Sequence, residues 1–169
     1  MKKILYLAIS VNGYIAKKNN DTPWSNTEWQ SWIGEVKKAG NLIIGRKTFD
    51  LMTTKHISEI GNPFMVVLSN NPLQTGDNVK CANSPQDAIN IIESEGFEIA
   101  FIGGGGTTAT SFMNANLIDE LLVDIEPKIF DEGLPFFNKL SRDINLQLIE
   151  TKKYDDNGIK LHYKIIKND

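Results

Sequence analysis

Four glycines, Gly103 to Gly106, follow the apolar run Glu98 to Ile102 and lead through Thr107-Thr108 into a helix-like stretch. Glycine lets the backbone approach a ligand closely, and the unpaired N–H groups at a helix start, Gly104 to Thr107, attract an anion. The chemistry such a junction suits is phosphate binding; the other reading is a tight turn demanded by packing. The run also contains Gly104-x-Gly106-x-x-Ala109 with Asp124 downstream, which imitates the dinucleotide fingerprint of a Rossmann unit. Only about sixty residues remain after it, too few for the further βαβ units of that plan. The glycines are therefore expected to serve a dinucleotide on another α/β plan.

A second junction, Ile44-Gly45-Arg46-Lys47-Thr48, sets two cations, a hydroxyl and a glycine after the apolar run Asn41 to Ile44. Charge and hydrogen-bond donors of this kind suit one phosphate. A solvated turn followed by an amphipathic helix over Thr48 to Met52 is the alternative. A third junction, Leu68-Ser69-Asn70-Asn71-Pro72, offers small hydroxyl and amide groups that bond a phosphate or close an Asx turn. His56, His162 and the lone Cys81 lie far apart without ligand spacing. No metal site and no Cys–His nucleophile is expected from them; they read as a loop histidine, an alternating strand position and a semi-buried thiol.

The elements that must hold these junctions follow from periodicity and punctuation. Lys3 to Val11 is β-compatible and released by Asn12-Gly13, and Tyr14-Ile15-Ala16 continues it briefly. Lys17 to Pro23 is a polar loop delivering Trp24. Ser25 or Asn26 caps a helix that carries Trp29, Trp32, Ile33 and Val36 at helical spacing down to Gly40. Phe64 to Leu68 and Val79 to Ala82 read as strands. Ser84-Pro85-Gln86-Asp87 starts a helix that Gly96 stops, and Phe112, Met113 and Leu117 mark the apolar side of the helix after the glycines. Strands alternating with helices predict a mainly parallel sheet. The last fifty residues change character: Leu117 to Pro127 is strand-like, Asp131 to Phe137 irregular, and Asn145 to Tyr154 with Ile159 to Ile166 flank the hairpin signal Asn157-Gly158. The fold class expected is α/β, three layers, with antiparallel strands at its C-terminal end. The polar strand ends after Ile44, Leu68 and Ile102 are expected on one carboxyl edge, where open α/β sheets bind ligands.

The 169 residues fit one domain spanning the whole chain. A net charge near −3 gives no electrostatic footprint for nucleic acid or anionic membrane. No apolar run approaches a membrane span and no leader pattern opens the chain, so a cytoplasmic protein is expected. The expected partner is a small-molecule substrate; a homodimer is also expected, with Leu134-Pro135-Phe136-Phe137 either offering apolar surface for it or covering the protein's own core.

The ordered set Ser10-Val11-Asn12-Gly13-Tyr14-Ile15-Ala16, Pro23-Trp24, Ile44-Gly45-Arg46-Lys47-Thr48, Leu68-Ser69, Ile102-Gly103-Gly104-Gly105, and Pro127 with Gly133-Leu134-Pro135-Phe136-Phe137 resembles the dihydrofolate reductase-like superfamily. The resemblance covers nearly the whole chain and is strongest to the C-terminal reductase domain of the riboflavin-biosynthesis protein RibD. It implies NADPH as cofactor. Gly45, Arg46, Lys47, Thr48, Leu68 and Ser69 would hold the adenosine 2′-phosphate side, and Ile102 with Gly103, Gly104, Gly105, Gly106 and Thr107 the pyrophosphate. Ala8, Ile9 and Ile15 would line the nicotinamide end. RibD-like chains usually carry Asp where this one has Asn12, which can hydrogen-bond but cannot act as an acid. Glu28 is the nearest match to the acid that dihydrofolate reductases place on the first helix; an exposed glutamate favoured by the helix dipole is its other reading. Glu28 and Asn12 are thus the candidate catalytic residues, and Trp24, Trp29 and Trp32 the candidate substrate-side group, with at least one of the last two expected in the core. The implied activity is a RibD-type NADPH-dependent reductase, the alternatives a true dihydrofolate reductase or a nucleotide-binding protein without catalysis.

Overall fold

The computed structural model describes residues 1–71, 73 and 76–167. In chain order the elements are β1 (Lys2–Ser10), β2 (Tyr14–Lys17), α1 (Asn26–Ala39), β3 (Asn41–Gly45), α2 (Arg46–Leu51), α3 (Thr54–Glu59), β4 (Phe64–Leu68) and β5 (Val79–Ala82). There follow α4 (Pro85–Ser94), β6 (Ile99–Ile102), α5 (Gly106–Asn114), β7 (Glu120–Glu126), β8 (Gly133–Pro135), β9 (Asn145–Lys153) and β10 (Ile159–Ile166). Eight strands form one sheet in the order β5-β4-β3-β6-β1-β7-β10-β9. β5 through β7 run parallel, while β10 is antiparallel to both β7 and β9. This is the predicted α/β architecture, mainly parallel with antiparallel strands at the C-terminal end.

The central strands are apolar on both faces because helices cover both. Alternation along each strand sends Tyr6, Leu42, Ile44, Met65 and Phe101 to the side covered by α1, α2 and α3. Leu5, Leu7, Ile43, Val66 and Ile102 face the other side, under α4 and α5. Helix α1 starts where Ser25 accepts the Glu28 N–H and stops at Gly40, whose φ of 70° a side chain would resist. Between β3 and β6 the ladder is reduced to one register pair, Ile43 with Ile102. Buried Asn41 substitutes for the missing rungs: its Nδ2 donates to Ile99 O at 2.6 Å and its Oδ1 accepts from Phe101 N at 3.0 Å. That side chain fixes the spacing between the two strands whose ends carry the first two polar junctions.

Three local expectations change. The helix read as Thr48 to Met52 begins two residues earlier, at Arg46, because Gly45 supplies the extended N-cap. His56 is not a loop residue but sits in α3, where its Nδ1 accepts from Thr53 N while Thr53 Oγ1 accepts from His56 N, a reciprocal cap that stabilises a very short helix. The segment Asp131 to Phe137, read as irregular, contains β8, which pairs with β2. Leu134, Phe136 and Phe137 pack, partly buried, on the protein's own core, the second of the two readings of that segment. On edge strand β9, Leu146, Leu148 and Ile149 are exposed. Among the described residues no helix is long and apolar enough to cross a membrane.

Candidate active site

Strands β4, β3 and β6 are consecutive and parallel, so the junctions after Leu68, Ile44 and Ile102 open on one edge of the sheet. Two of them touch directly. Gly45 N donates to Gly104 O at 3.1 Å, and a Cβ on Gly45 would lie 2.5 Å from Thr108 Oγ1.

The glycine run divides its work between packing and exposure. Gly104 has φ +93° and its missing Cβ would meet Leu7 at 2.4 Å; a Cβ on Gly103 would meet Leu42 at 2.6 Å, and one on Gly106 the carbonyl of Pro135 at 2.6 Å. These three are required by the fold itself. Gly105 differs: only Ile15 Cδ1 and Thr48 Oγ1 come near its Cβ position, each at 3.7 Å. It is also the N-cap of α5 and provides no side-chain cap, which leaves the first amides of α5 without partners among the described residues. The space beside Gly105 is thus bounded by backbone donors, a hydroxyl and an apolar side chain.

Of the polar groups on this edge, Arg46 binds both Asp50 oxygens through Nε, at 2.8 and 2.9 Å, and its Nη groups have no hydrogen-bond partner among the described residues. Lys47 is exposed. Ser69 Oγ donates to Asn71 O at 2.8 Å and accepts from Asn71 N at 3.1 Å, so it closes its own turn; Pro72 lies outside the described residues. Ile15 joins the glycines, whereas Ala8 and Ile9 occupy opposite faces of β1, Ile9 packing against the α4–α5 core.

Next to this edge, on the α1 face, three carboxyl groups are buried together. Glu28 of α1, Asp124 and Glu126 of β7 are 3 %, 0 % and 1 % exposed. Register places Ala8 beside Asp124 and Ser10 beside Glu126, with Lys160 of β10 on the far side of Asp124. Asp124 Oδ2 accepts from the Tyr6 hydroxyl. Among the described residues its Oδ1 has no hydrogen-bond partner; it lies 3.7 Å from Lys160 Nζ, itself 4.4 Å from the Tyr6 ring centroid. Glu126 is fully engaged: Oε2 accepts from Ser25 N at 2.9 Å, and Oε1 from Ser25 Oγ at 2.9 Å and from the Tyr154 hydroxyl. The Glu28 carboxyl makes no hydrogen bond among the described residues.

The exposed, dipole-favoured reading of Glu28 is therefore corrected by its burial. Desolvation above all, with Asp124 and Glu126 adding to it against Lys160, pushes its carboxyl up to about 8. Burial likewise raises Asp124 to about 6, although the Tyr6 hydroxyl and Lys160 oppose the shift. A carboxyl neutral at pH 7 in this position can donate a proton, which an ordinary glutamate there could not.

Asn12 has other employment. Its Oδ1 accepts from Ser10 Oγ at 2.9 Å and Phe130 N at 3.2 Å, and its Nδ2 donates to Phe130 O at 2.8 Å, so the amide ties the end of β1 to the segment before β8. The tryptophans do not gather into one group. Trp24 stacks on Phe130 with centroids 5.5 Å apart, while Trp29 and Trp32 stack on each other at 5.2 Å and lie against the α1-side core. Both of the latter are half-buried packing residues, and Trp32 also reaches the Gly103 position, 3.3 Å from its absent Cβ.

Sequence reading missed Tyr6, Glu126, Tyr154 and Lys160, and took Asp124 only as an imitation of a ribose-binding acid. The signal available was Asp124 and Glu126 alternating inside an otherwise apolar central strand, a burial pattern that charge tolerates only with partners.

A sequence profile of the dihydrofolate reductase family matches residues 3–167. The uncharacterised protein YwjB of Bacillus subtilis (strain 168) is 25 % identical over 169 residues, covering 96 % of this chain and 97 % of its own length. Among solved structures, a Shewanella sp. PV-4 protein whose name assigns it to riboflavin biosynthesis superposes with TM-score 0.80 at 22 % identity, covering 99 % of this chain and all of its own. A Thermotoga maritima diaminohydroxyphosphoribosylaminopyrimidine deaminase/5-amino-6-(5-phosphoribosylamino)uracil reductase superposes with TM-score 0.74 at 14 % identity, covering 98 % of this chain and 56 % of that longer one. At these identities the structural likenesses establish the fold.

Proposed function

The chain belongs to the dihydrofolate reductase family, and on that premise we propose that it is an NADPH-dependent reductase of the RibD C-terminal type, acting on a small heterocyclic or sugar-derived substrate. The observation that carries this reading is the adjacency of two unlike half-sites. One is a sheet edge of amides, cations and hydroxyls around Gly105; the other is the buried Glu28 carboxyl beside Asp124 and Glu126 of β7, the strand that β1 separates from β6.

The residues present fit a phosphorylated dinucleotide. The room beside Gly105 and the uncapped start of α5 suit a pyrophosphate, and Arg46 Nη, Lys47 and Thr48 suit a further phosphate. Ser69 contributes through the shape of its turn, since its hydroxyl is already engaged. When bound, a dihydronicotinamide would supply hydride for the carbon of a C=N or C=O bond. The Glu28 carboxyl would give its proton to the nitrogen or oxygen that gains the displaced electron pair. Glu28 is left charged between Asp124 and Glu126, and this unfavourable state draws a new proton from solvent. Buried Ile15 lies beside Gly105 and half-buried Trp32 beside Gly103, so both junction glycines are flanked by apolar side chains.

Titration of the purified protein with NADPH and, separately, NADH tests this reading. Saturable NADPH binding that Arg46→Ala weakens is the expected result; absence of binding to either nucleotide overturns it. The burial of Glu28 favours one second reading, reduction of dihydrofolate itself, which steady turnover of that substrate would establish. NADPH binding without oxidation across a panel of carbonyl and imine substrates would point to a binding protein on the same fold.

A further inference from the structure

Helix α1 opens with Ser25-Asn26-Thr27-Glu28, the sequence of a capping box. In that motif the cap serine accepts from the backbone N–H three residues on, and the glutamate there reaches back to accept from the serine's own N–H. Only the first half forms here. Ser25 Oγ accepts from Glu28 N at 3.0 Å, but Ser25 N donates at 2.9 Å to Glu126 Oε2 of β7 rather than to Glu28. At α3 the same motif closes within its own helix: Thr53 Oγ1 accepts from His56 N, and His56 Nδ1 accepts from Thr53 N.

Glu126 is built into this substitution. Its carboxyl is buried, so its oxygens need donors. Oε1 takes the hydroxyls of Ser25 and Tyr154, and Oε2 takes the Ser25 amide. The Ser25 hydroxyl has one proton; giving it to Glu126 turns its lone pairs toward Glu28 N. Tyr154 is itself fixed by the hairpin turn, where a Cβ on Gly158 would lie 2.1 Å from its ring. The donor that the Glu28 carboxyl would find in its own helix is thus already taken, and that carboxyl is buried with no hydrogen bond among the described residues.

We propose that Glu126 is a positioning residue: by taking the Ser25 amide it keeps the Glu28 carboxyl out of the helix cap and leaves it available inside the site. The proposal rests on the reading of Glu28 as the proton donor and names the group that releases it from its local partner. A Glu28 carboxylate bonded to the Ser25 amide would be held in its charged form and turned toward the helix start, where it has no proton to give.

The experiment compares crystal structures of Glu126→Met and Glu126→Gln, without cofactor or substrate. Both remove the charge. Met offers no oxygen, whereas Gln keeps a carbonyl for Ser25 N and an amide for the two hydroxyls. In Glu126→Met the Glu28 carboxyl should swing to within about 3.2 Å of Ser25 N; in Glu126→Gln it should stay where it is. A Glu28 carboxyl that stays off Ser25 N in the Met variant, or moves onto it in the Gln variant, overturns the proposal. If Glu126→Met does not fold, the Ser25 amide signal in NMR decides: Glu28→Gln should leave it in place, and a displaced signal would show that Glu28 already holds the amide. In turnover, Glu126→Met should lower kcat by at least about tenfold with little change in NADPH affinity, and Glu126→Gln should recover most of it. The swing of Glu28 in a protein that binds no NADPH would uphold the role of Glu126 and remove the reductase. NADPH-dependent turnover with Glu28 unmoved in Glu126→Met would do the reverse.

Discussion

The two halves of the proposed site are built on opposite principles. The edge formed by Gly45 to Thr48 and Gly103 to Thr107 is assembled from backbone groups at the ends of neighbouring parallel strands, is partly open, and gets its character from chain geometry. The acid-lined half is assembled from side chains that alternate on the α1 face of β1, β7 and β10, is closed to solvent, and gets its character from burial. An anion is held by many weak, preset dipoles; a proton is held by one group in a hostile environment. The first arrangement tolerates change at single positions, while the second concentrates its effect in Glu28.

The sharpest way to break this contrast is Glu28→Gln. With whichever substrate the oxidation screen yields, kcat should fall by roughly 10²–10⁴, with NADPH affinity changed by no more than about twofold. Equal loss of binding and turnover would mean that the halves are not separable.

The next largest effect is on stability. The folded-state value of Glu28, about 8, lies above its ordinary 4.5, so the folded protein holds a proton that the unfolded chain releases. That contribution is complete below the ordinary carboxyl range and is lost as pH climbs toward and through 8. Its upper size is on the order of 5 kcal/mol. Thermal unfolding of the wild type should show a declining Tm across this window and Glu28→Gln a flatter profile; parallel profiles would refute the burial argument.

On the backbone-built edge, Gly104→Ala must place a methyl 2.4 Å from Leu7 at φ +93° and should cost about 2–3 kcal/mol in denaturant unfolding. Gly105→Ala meets nothing closer than 3.7 Å and should unfold close to wild type while binding NADPH less tightly. If both destabilise alike, the division of the run into packing and ligand-facing glycines is wrong. Arg46→Ala should be the mildest, raising the Kd for NADPH by about tenfold with little effect on NADH, as isothermal titration would show. Equal loss for both nucleotides would move Arg46 off the 2′-phosphate.

The unequal legibility of the two halves follows from the same contrast. Gly45-Arg46-Lys47-Thr48 and Gly103 to Thr107 are contiguous words, so their residues announce a junction before the fold is known. The strand pattern even gives the common edge, because parallel strands in an open sheet must end together. What contiguity could not separate was Gly105 from its neighbours: that needed Leu7, Leu42 and Pro135, which come from other parts of the chain. The short helix α3 was invisible because its helical signal is a cap, Thr53 with His56, rather than an apolar period.

By itself the sequence determined the α/β order, the polar junctions and the presence of an acid at the start of the first helix, since each depends on spacing within a few residues. Tertiary structure alone decided what that acid is. Tyr6, Glu28, Asp124 and Lys160 are spread from the first strand to the last and meet only when β1, β7 and β10 lie side by side beneath α1. Proton affinity depends on dielectric and on charge separation through space, and neither is a property of a stretch of chain.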